Sequence, residues 1–243
     1  MNVSDIPVIA IDGPSASGKG TVAQRVARKL GFHYLDSGAL YRLVALSAMR
    51  SKLDLADEGT LSDVAIRLDV VFEDAEIRLG NENVADTIRT EGCSNAASRI
   101  AAYPQVRKAL LARQRAFRQL PGLVADGRDM GSVVFPDAIL KIFLTASAQT
   151  RAQRRYKQLM EKGIDANIST LLQDIQERDA RDSNRSAAPL HQDAGASLLD
   201  TTVLDIGQAV DSVLNQYAEV CTKRHISKKS KFQPGSSGNR ISK

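Results

Sequence analysis

Apolar and polar positions along this chain fall into blocks that switch between two periods. Short apolar runs at residues 7–12, 33–35, 123–126, 139–144 and 198–200 have the length and content of strands buried in a parallel sheet. Between them lie stretches with a helical period. Residues 19–30 form one, closed by Gly31. Ser37 is placed to cap a second, through about residue 49. Further helices are expected at 61–68, 89–102, 104–119 (Pro104 in its first turn), 147–162 (ended by Gly163) and 168–182. Asp205 is placed to cap a last one, through about residue 220. Residues 68–73 and 76–79, followed by the turn pair Gly80-Asn81, read as a small antiparallel insertion. Strands alternating with helices predict an α/β fold, a doubly wound parallel sheet of about five strands with right-handed crossovers. Its ligands belong at the carboxyl ends of the strands.

The first strand runs straight into Asp12-Gly13-Pro14-Ser15-Ala16-Ser17-Gly18-Lys19-Gly20-Thr21. Glycines let such a loop curl until its amides point at one centre; the helix start adds partial positive charge and Lys19 a full one. A polyphosphate suits that site best. Against G-x-x-x-x-G-K-[ST], Gly13, Gly18 and Lys19 fit, but Gly20 stands where a Mg²⁺-binding hydroxyl is expected and Thr21 supplies one a place later. A Gly-rich turn before an ordinary helix is the plainer alternative. The shifted form is nearer to nucleoside monophosphate kinases than to GTP-binding switches. Such a switch needs Asn-Lys-x-Asp and usually Asp-x-x-Gly, and neither occurs.

Composition narrows the setting. At 243 residues, 43% of them hydrophobic, the chain can build one substantial core. No apolar run reaches membrane-spanning length and no secretory signal is evident, so no membrane association is expected. Cys93 and Cys221, far apart and without metal-ligand company, read as reduced thiols in a cytoplasm. The net charge of +5 belongs to the end of the chain. Seven of the 33 basic residues and none of the 28 acidic ones lie in residues 222–243, so the body carries about −2. That tail has only Ile226, Phe232 and Ile241 as sizeable apolar residues and is expected to be disordered. It lacks an aromatic or helix-turn-helix reader, which argues against a nucleic-acid partner beyond nonspecific attraction.

Other polar groups fall at the same sheet edge. Asp36-Ser37-Gly38 follows the second strand, with Tyr41 and Arg42 one turn into its helix. Asp126-Gly127-Arg128-Asp129 follows the third. Asp126 can hold Mg²⁺ directly or through water, or cap a loop turn. On the helix from Ile168, the apolar face of Leu171, Leu172 and Ile175 turns ionic at Arg178 and Asp182, with Arg185 just beyond. A polar cleft and a solvated ion pair explain that spacing equally well. Arg151, Arg154 and Arg155 cluster after the fourth strand, where a solvated helix face is an equal alternative; Gly163 and the polar residues after it suit a mobile lid. The three histidines have no acid/base or metal company.

Together these residues resemble the bacterial cytidylate (CMP) kinases, a P-loop nucleoside monophosphate kinase family. The likeness rests on Ile11 to Ser15 with Gly18 to Thr21, on Leu35 to Arg42, on Ile88-Arg89-Thr90 and on Asn95 to Ser98. It continues in Ala125 to Gly131 and in Glu177-Arg178-Asp179 through Arg185, and spans residues 8–217. It implies γ-phosphoryl transfer from ATP to CMP, with dCMP accepted and UMP poor. It also implies a P-loop NTPase-type sheet as core (1–36, 120–150, 168–221), an inserted NMP-binding subdomain (37–119) and a short lid (151–167). By motif, residues 13–21 and Arg154 bind ATP, and Thr21 and Asp126 hold Mg²⁺. Ser98, Arg107 and Asp129 read the cytosine; Arg42, Arg128 and Arg185 hold the CMP phosphate; Arg178 and Asp182 contact the ribose and transferring groups. Asp36, Ser37 and Tyr41 line the CMP site, and Lys19, Arg128, Arg178, Asp182 and Arg185 carry catalysis. The likeness favours the cleft reading of Arg178 and Asp182. A monomer is expected. Kinases of the same fold for AMP, shikimate or dephospho-coenzyme A are the rivals, and the Ser98, Arg107 and Asp129 set argues against them.

Overall fold

The computed structural model describes residues 2–73 and 76–230. Five parallel strands, β1 (Val8–Asp12), β2 (His33–Asp36), β6 (Leu123–Gly127), β7 (Leu140–Thr145) and β8 (Ser197–Asp200), form a sheet of order β2-β6-β1-β7-β8. The expected doubly wound sheet is therefore present, with β1 at its centre and buried along its whole length. Its side chains alternate between two cores. Val8 and Ala10 join one with Leu35, Leu40, Leu43 and Ala125; Ile9 and Ile11 join the other with Val22, Val26, Val124, Ile142 and Val213. Apolar residues on both faces are what a sheet covered on both sides requires.

Helix α1 (Lys19–Leu30) ends at Gly31, whose φ of 66° lets its N–H reach the last-turn carbonyls of Ala27 and Arg28. α2 (Ser37–Arg50), α3 (Glu58–Ile66), α4 (Glu91–Ile100) and α5 (Pro104–Ala116) cover one side. With them lies a second, antiparallel sheet, β3 (Val70–Glu73), β4 (Glu76–Leu79) and β5 (Glu82–Asn83). α6 (Ala148–Glu161) and α7 (Ile168–Asn184) pack on each other, and α8 (Ile206–Ser230) packs on α1.

Several boundaries differ from the sequence reading. Asp36 rather than Ser37 caps α2, because its Oδ1 accepts from the Ala39 amide at 3.0 Å and leaves Ser37 as the first helical residue. α4 begins at Glu91 behind its own cap, Thr90, so residues 87–89 make a separate turn. α5 stops at Ala116; Arg118 beyond it is drawn off the helix to the carbonyls of Ser4 and Ile6. Met130–Val134, unassigned from sequence, is one π turn, closed by Val134 N–H to Asp129 O at 3.1 Å and Phe135 N–H to Met130 O at 2.7 Å. The largest difference is α8. It continues to Ser230, so the first nine residues of the stretch expected to be disordered are helical. Lys and Arg are good helix formers, no Pro intervenes before residue 234, and cations are favourable near a helix C-terminus. Residues 231–243, Phe232 and Ile241 among them, lie outside the described residues.

Candidate active site

The registers of the sheet bring three carboxylates to one edge. Asp36 on β2 lies opposite Asp126 on β6, and Asp12 on β1 opposite Gly127. Gly13 follows at once. With φ at 154°, a side chain there would place its Cβ 2.0 Å from the Leu144 carbonyl oxygen of β7, so only glycine lets the loop pass. Ala16 (φ 55°) and Gly18 (φ 91°) then curl it. Its carbonyls are held from outside. Lys19 Nζ donates to Pro14 O at 3.1 Å, Arg151 to Ser15 O at 3.2 Å, and Arg154 to Ser17 O at 2.9 Å. Thr201 Oγ1 also donates to Ser17 O. Residues 15 and 16 form a turn, and among the described residues no amide from Gly18 to Thr21 donates a hydrogen bond. A curled loop with its carbonyls satisfied and its amides free is an anion cradle.

Lys19 is 8% exposed and its Nζ stands 3.8 Å from Asp126 Oδ1, an oxygen with no hydrogen-bond partner. Burial draws the ammonium below its usual range, with Arg128 adding to the effect, and burial pushes the Asp126 carboxyl up; their mutual attraction opposes both. An incoming polyanion would favour the Lys19 ammonium and draw it back toward its usual range. The missing hydroxyl of the loop motif also gains a physical reason. A Cβ on Gly20 would sit 2.9 Å from Asp126 Oδ2, so the carboxylate occupies the space a serine or threonine would fill. Thr21 is exposed. Tyr34, not singled out from sequence, reaches Asp126 Oδ2 with its hydroxyl at 3.4 Å.

Facing the cradle, four arginines converge from three elements. Arg42 on α2 donates to Asp36 Oδ2 at 2.6 Å, leaving its Nε without a partner. Arg128 donates to Asp182 Oδ2 at 2.8 Å and to its neighbour's carbonyl, Gly127 O, at 3.1 Å. Burial works against ionisation of Asp182, yet Arg128 and Arg178 hold its carboxyl below the usual range. Arg178 has an unpartnered Nε, and burial followed by Arg128 lowers it to about 10. Arg185 spends its Nε on Ala188 O and leaves a buried Nη2 free; burial, then Arg107, lowers it. Mutually repelling guanidinium groups with N–H donors to spare need an anion rich in acceptor oxygens.

Beside them is a smaller polar pocket. Arg107 on α5 pairs with Asp129, donates to Ala101 O at 3.0 Å, and lies over the Tyr41 ring at 5.8 Å. Ser98 Oγ is buried with no partner. Eight buried side-chain polar atoms lack partners among the described residues, and seven belong to residues chosen from the sequence: Ser15, Ser17, Arg42, Ser98, Asp126, Arg178 and Arg185. Buried polar groups are rarely left unpaired, and Arg42, Asp126, Arg178 and Arg185 are linked to one another through Arg128 and Asp182, so together they mark a binding site. The eighth is on Gln114, which was missed; it sits two turns beyond Arg107 on α5.

The arginine cluster on α6 splits three ways. Arg151 turns inward and makes a bidentate pair with Asp179 of α7, at 3.0 and 2.5 Å, besides bonding Ala146 O and Ser15 O. Arg154 is tied to Ser17 O and to Thr201. Arg155 pairs with Glu91 of α4, and nearby Lys162 Nζ lies 3.7 Å from Asp86. Nothing in the spacing distinguishes these roles; only the approach of α6 to the loop and to α4 does. No group of three metal-ligating side chains occurs among the described residues, and no helix there is long and apolar enough to cross a membrane.

A curled Gly-Lys loop at the central strand of a doubly wound sheet, faced by arginines across a cleft, defines a P-loop kinase; a nucleotide switch would carry a base-reading tetrapeptide instead. The family model for cytidylate kinase matches residues 9–219. The chain is 59% identical over 219 residues to the cytidylate kinase of Nitrosomonas europaea, covering 90% of this chain and 98% of that one. It is also 59% identical to that of Polynucleobacter asymbioticus, covering 88% and 98%. A gluconokinase structure from Sinorhizobium meliloti 1021 aligns over 91% of this chain and 97% of its own at 15% identity, with a TM-score of 0.48. The chain belongs to the cytidylate kinase family.

Proposed function

We propose that this protein transfers the γ-phosphoryl group of ATP to CMP and dCMP, giving CDP or dCDP and ADP. One observation supports the reading: buried polar atoms without partners lie both on the Gly-Lys loop, at Ser15 and Ser17, and on Arg42, Asp126, Arg178 and Arg185, a set rich in donors for phosphate oxygens. Residues 13–21 and Lys19 bind the ATP phosphates, with Arg154 beside them. Arg42, Arg128 and Arg185 hold the CMP phosphate, lined by Asp36, Ser37 and Tyr41. Arg178 and Asp182 hold the ribose and the transferring group. Catalysis is then positioning and charge neutralisation, with acceptor and leaving oxygens in line.

The base is read by Ser98, Arg107 and Asp129. Cytosine presents two acceptors, O2 and N3, and one donor, its exocyclic amine. Ser98 and Arg107 donate to the former and Asp129 accepts from the latter. Uracil offers a carbonyl where the amine was, facing a carboxylate, so UMP is a poor substrate.

Asp126 fits a Mg²⁺ ion. Its Oδ1 is a hard oxygen with no hydrogen-bond partner, facing Lys19 at 3.8 Å, and Mg²⁺ is commonly held by one or two carboxylates together with substrate phosphates. Thr21, one place after Gly20, would supply the hydroxyl. Bound there, the ion would supply charge to the β- and γ-phosphates.

Residues 37–119 serve as the NMP-binding insertion and 151–167 as the lid, which turns at Gly163 (φ 70°). The protein works in the cytoplasm as a monomer. ADP formation measured with CMP, dCMP, UMP, AMP and GMP tests the whole reading. CMP and dCMP should be preferred by at least about tenfold, equivalent to about 1.4 kcal/mol; equal use of AMP or GMP would sink it.

A further inference from the structure

Asp12 ends β1 and is buried, yet the transfer chemistry gives it no task. Its Oδ1 accepts from the Met130 amide and its Oδ2 from the Gly131 amide, each at 2.8 Å. These are the first two amides of the π turn Met130–Val134, whose opening N–H groups have no acceptor within the turn. The residue at the cap of that turn is Asp129. Aspartate at such a position ordinarily bonds the second or third amide of its own helix. Here it makes no cap bond and is paired with Arg107 instead. The Gly131 amide that would draw the Asp129 carboxylate back is already taken by Asp12. The arrangement is unfavourable for Asp12 itself: burial pushes its carboxyl up to about 7, the Gly131 and Met130 amides oppose this, and Asp129 and Asp126 add to it.

We propose that Asp12 is a positioning residue for base selection, which caps the Met130–Val134 turn from the neighbouring strand and so keeps the Asp129 carboxylate free for the nucleobase. The inference rests on the reading of Asp129 as the group that accepts from the cytosine amine. It also joins the two substrate sites, because the carboxylate preceding Gly13 fixes the backbone immediately after Arg128 and Asp129.

The test compares Asp12→Asn with Asp129→Ala, each assayed with CMP and UMP at pH 8, where the ionised Asp12 carboxylate accepts from both amides. Asparagine keeps the shape but offers one acceptor, and turns its amide NH2, a donor, toward the other N–H. The CMP/UMP ratio of kcat/KM should shrink about tenfold, the equivalent of about 1.4 kcal/mol, while KM for ATP stays within about twofold. A merely structural brace would lower the melting temperature and the active fraction with the ratio intact, and that result overturns the inference. If Asp129→Ala changes the ratio and Asp12→Asn does not, the positioning role fails alone. If Asp129→Ala leaves the ratio unchanged, the base reading fails and takes the inference with it. Should Asp12→Asn not fold, amide hydrogen exchange on the wild-type protein decides. The Met130 and Gly131 amides should be protected like those of the sheet without any nucleotide, and exchange at loop rates would overturn the proposal.

Discussion

Lys19 has two local partners, the Pro14 carbonyl and the Asp126 carboxylate, and burial lowers its proton affinity in the ligand-free protein. Replacing it by alanine removes the buried ammonium that opens α1 at the end of the loop. Lys19→Ala should lose phosphoryl transfer by at least about 10³-fold while the melting curve stays near that of the parent. Substantial turnover in that variant would remove the cradle from the mechanism. Asp12 makes a different prediction. Its folded carboxyl is pushed up to about 7 from 3.8, so between those values the folded state holds a proton that the unfolded state has lost. Stability of the ligand-free protein therefore falls, on account of this group, as pH rises from about 4 to about 7. Asparagine has no such dependence. The stability advantage of the parent over Asp12→Asn should narrow by about 3 kcal/mol between pH 5 and pH 8, read by denaturant unfolding. The charged groups facing Asp12, namely Asp126, Asp129 and Arg128, are the same in both proteins. A gap that widens toward pH 8 would mean that the amides outweigh burial.

At the scale of elements, the phosphate loop is a backbone held by its neighbours. Arg151 and Arg154 of α6 and Thr201 after β8 satisfy the carbonyls that the curl turns outward. The same Arg151 grips Asp179 of α7, one residue from Arg178, so loop and cleft-lining helix share an anchor. Where α1 begins, Gly20 leaves room for Asp126. Gly20→Ser would restore the usual loop motif and drive a Cβ to 2.9 Å from Asp126 Oδ2. The carboxylate must then shift, and turnover should fall about ten- to a hundredfold with the melting temperature little changed. Unchanged kcat in Gly20→Ser at limiting and at saturating Mg²⁺ would show that the position of Asp126 does not matter.

For the whole molecule, the long final helix sets where the chain can be shortened. Leu214, Tyr217 and Val220 pack against the α1 side of the sheet, and Tyr217 meets Phe32 edge to face at 5.8 Å. Thr222 and Lys223 are exposed. Deleting residues 222–243 should leave kcat unchanged and the melting temperature within about 2–4 °C, because no core side chain described here is removed. Cutting before Tyr217 should lower it by more. The charge of the removed segment acts within about 8 Å at physiological salt, so any effect on nucleotide encounter should vanish as salt is raised. A large loss of turnover at both low and high salt in the 222–243 deletion would show that this segment takes part in catalysis.

The sequence by itself determined the sheet, the cradle and most of the side chains gathered in the cleft. The central strand β1 is an apolar run up to Asp12 and β6 one up to Asp126, and the loop motif is local, so Gly13, Gly18 and Lys19 are legible without any knowledge of their neighbours. Resemblance carried the remainder of the site list, including Ser98, Arg107 and Asp129. Roles that depend on which backbone approaches which side chain were decided only by the tertiary structure. A buried aspartate at a strand end reads the same whether it holds a metal, as proposed for Asp126, or caps a turn 118 residues away, as Asp12 does. Three arginines within five residues of one helix likewise read as one cluster, until packing sends one inward to Asp179, one to Ser17 and one to Glu91. The same holds for the turn after Asp129 and for the run of α8 past residue 221. Periodicity reports which face of an element is apolar. It carries no information about partners brought together across the sheet, and those partners fix the ends of elements and the tasks of charged groups.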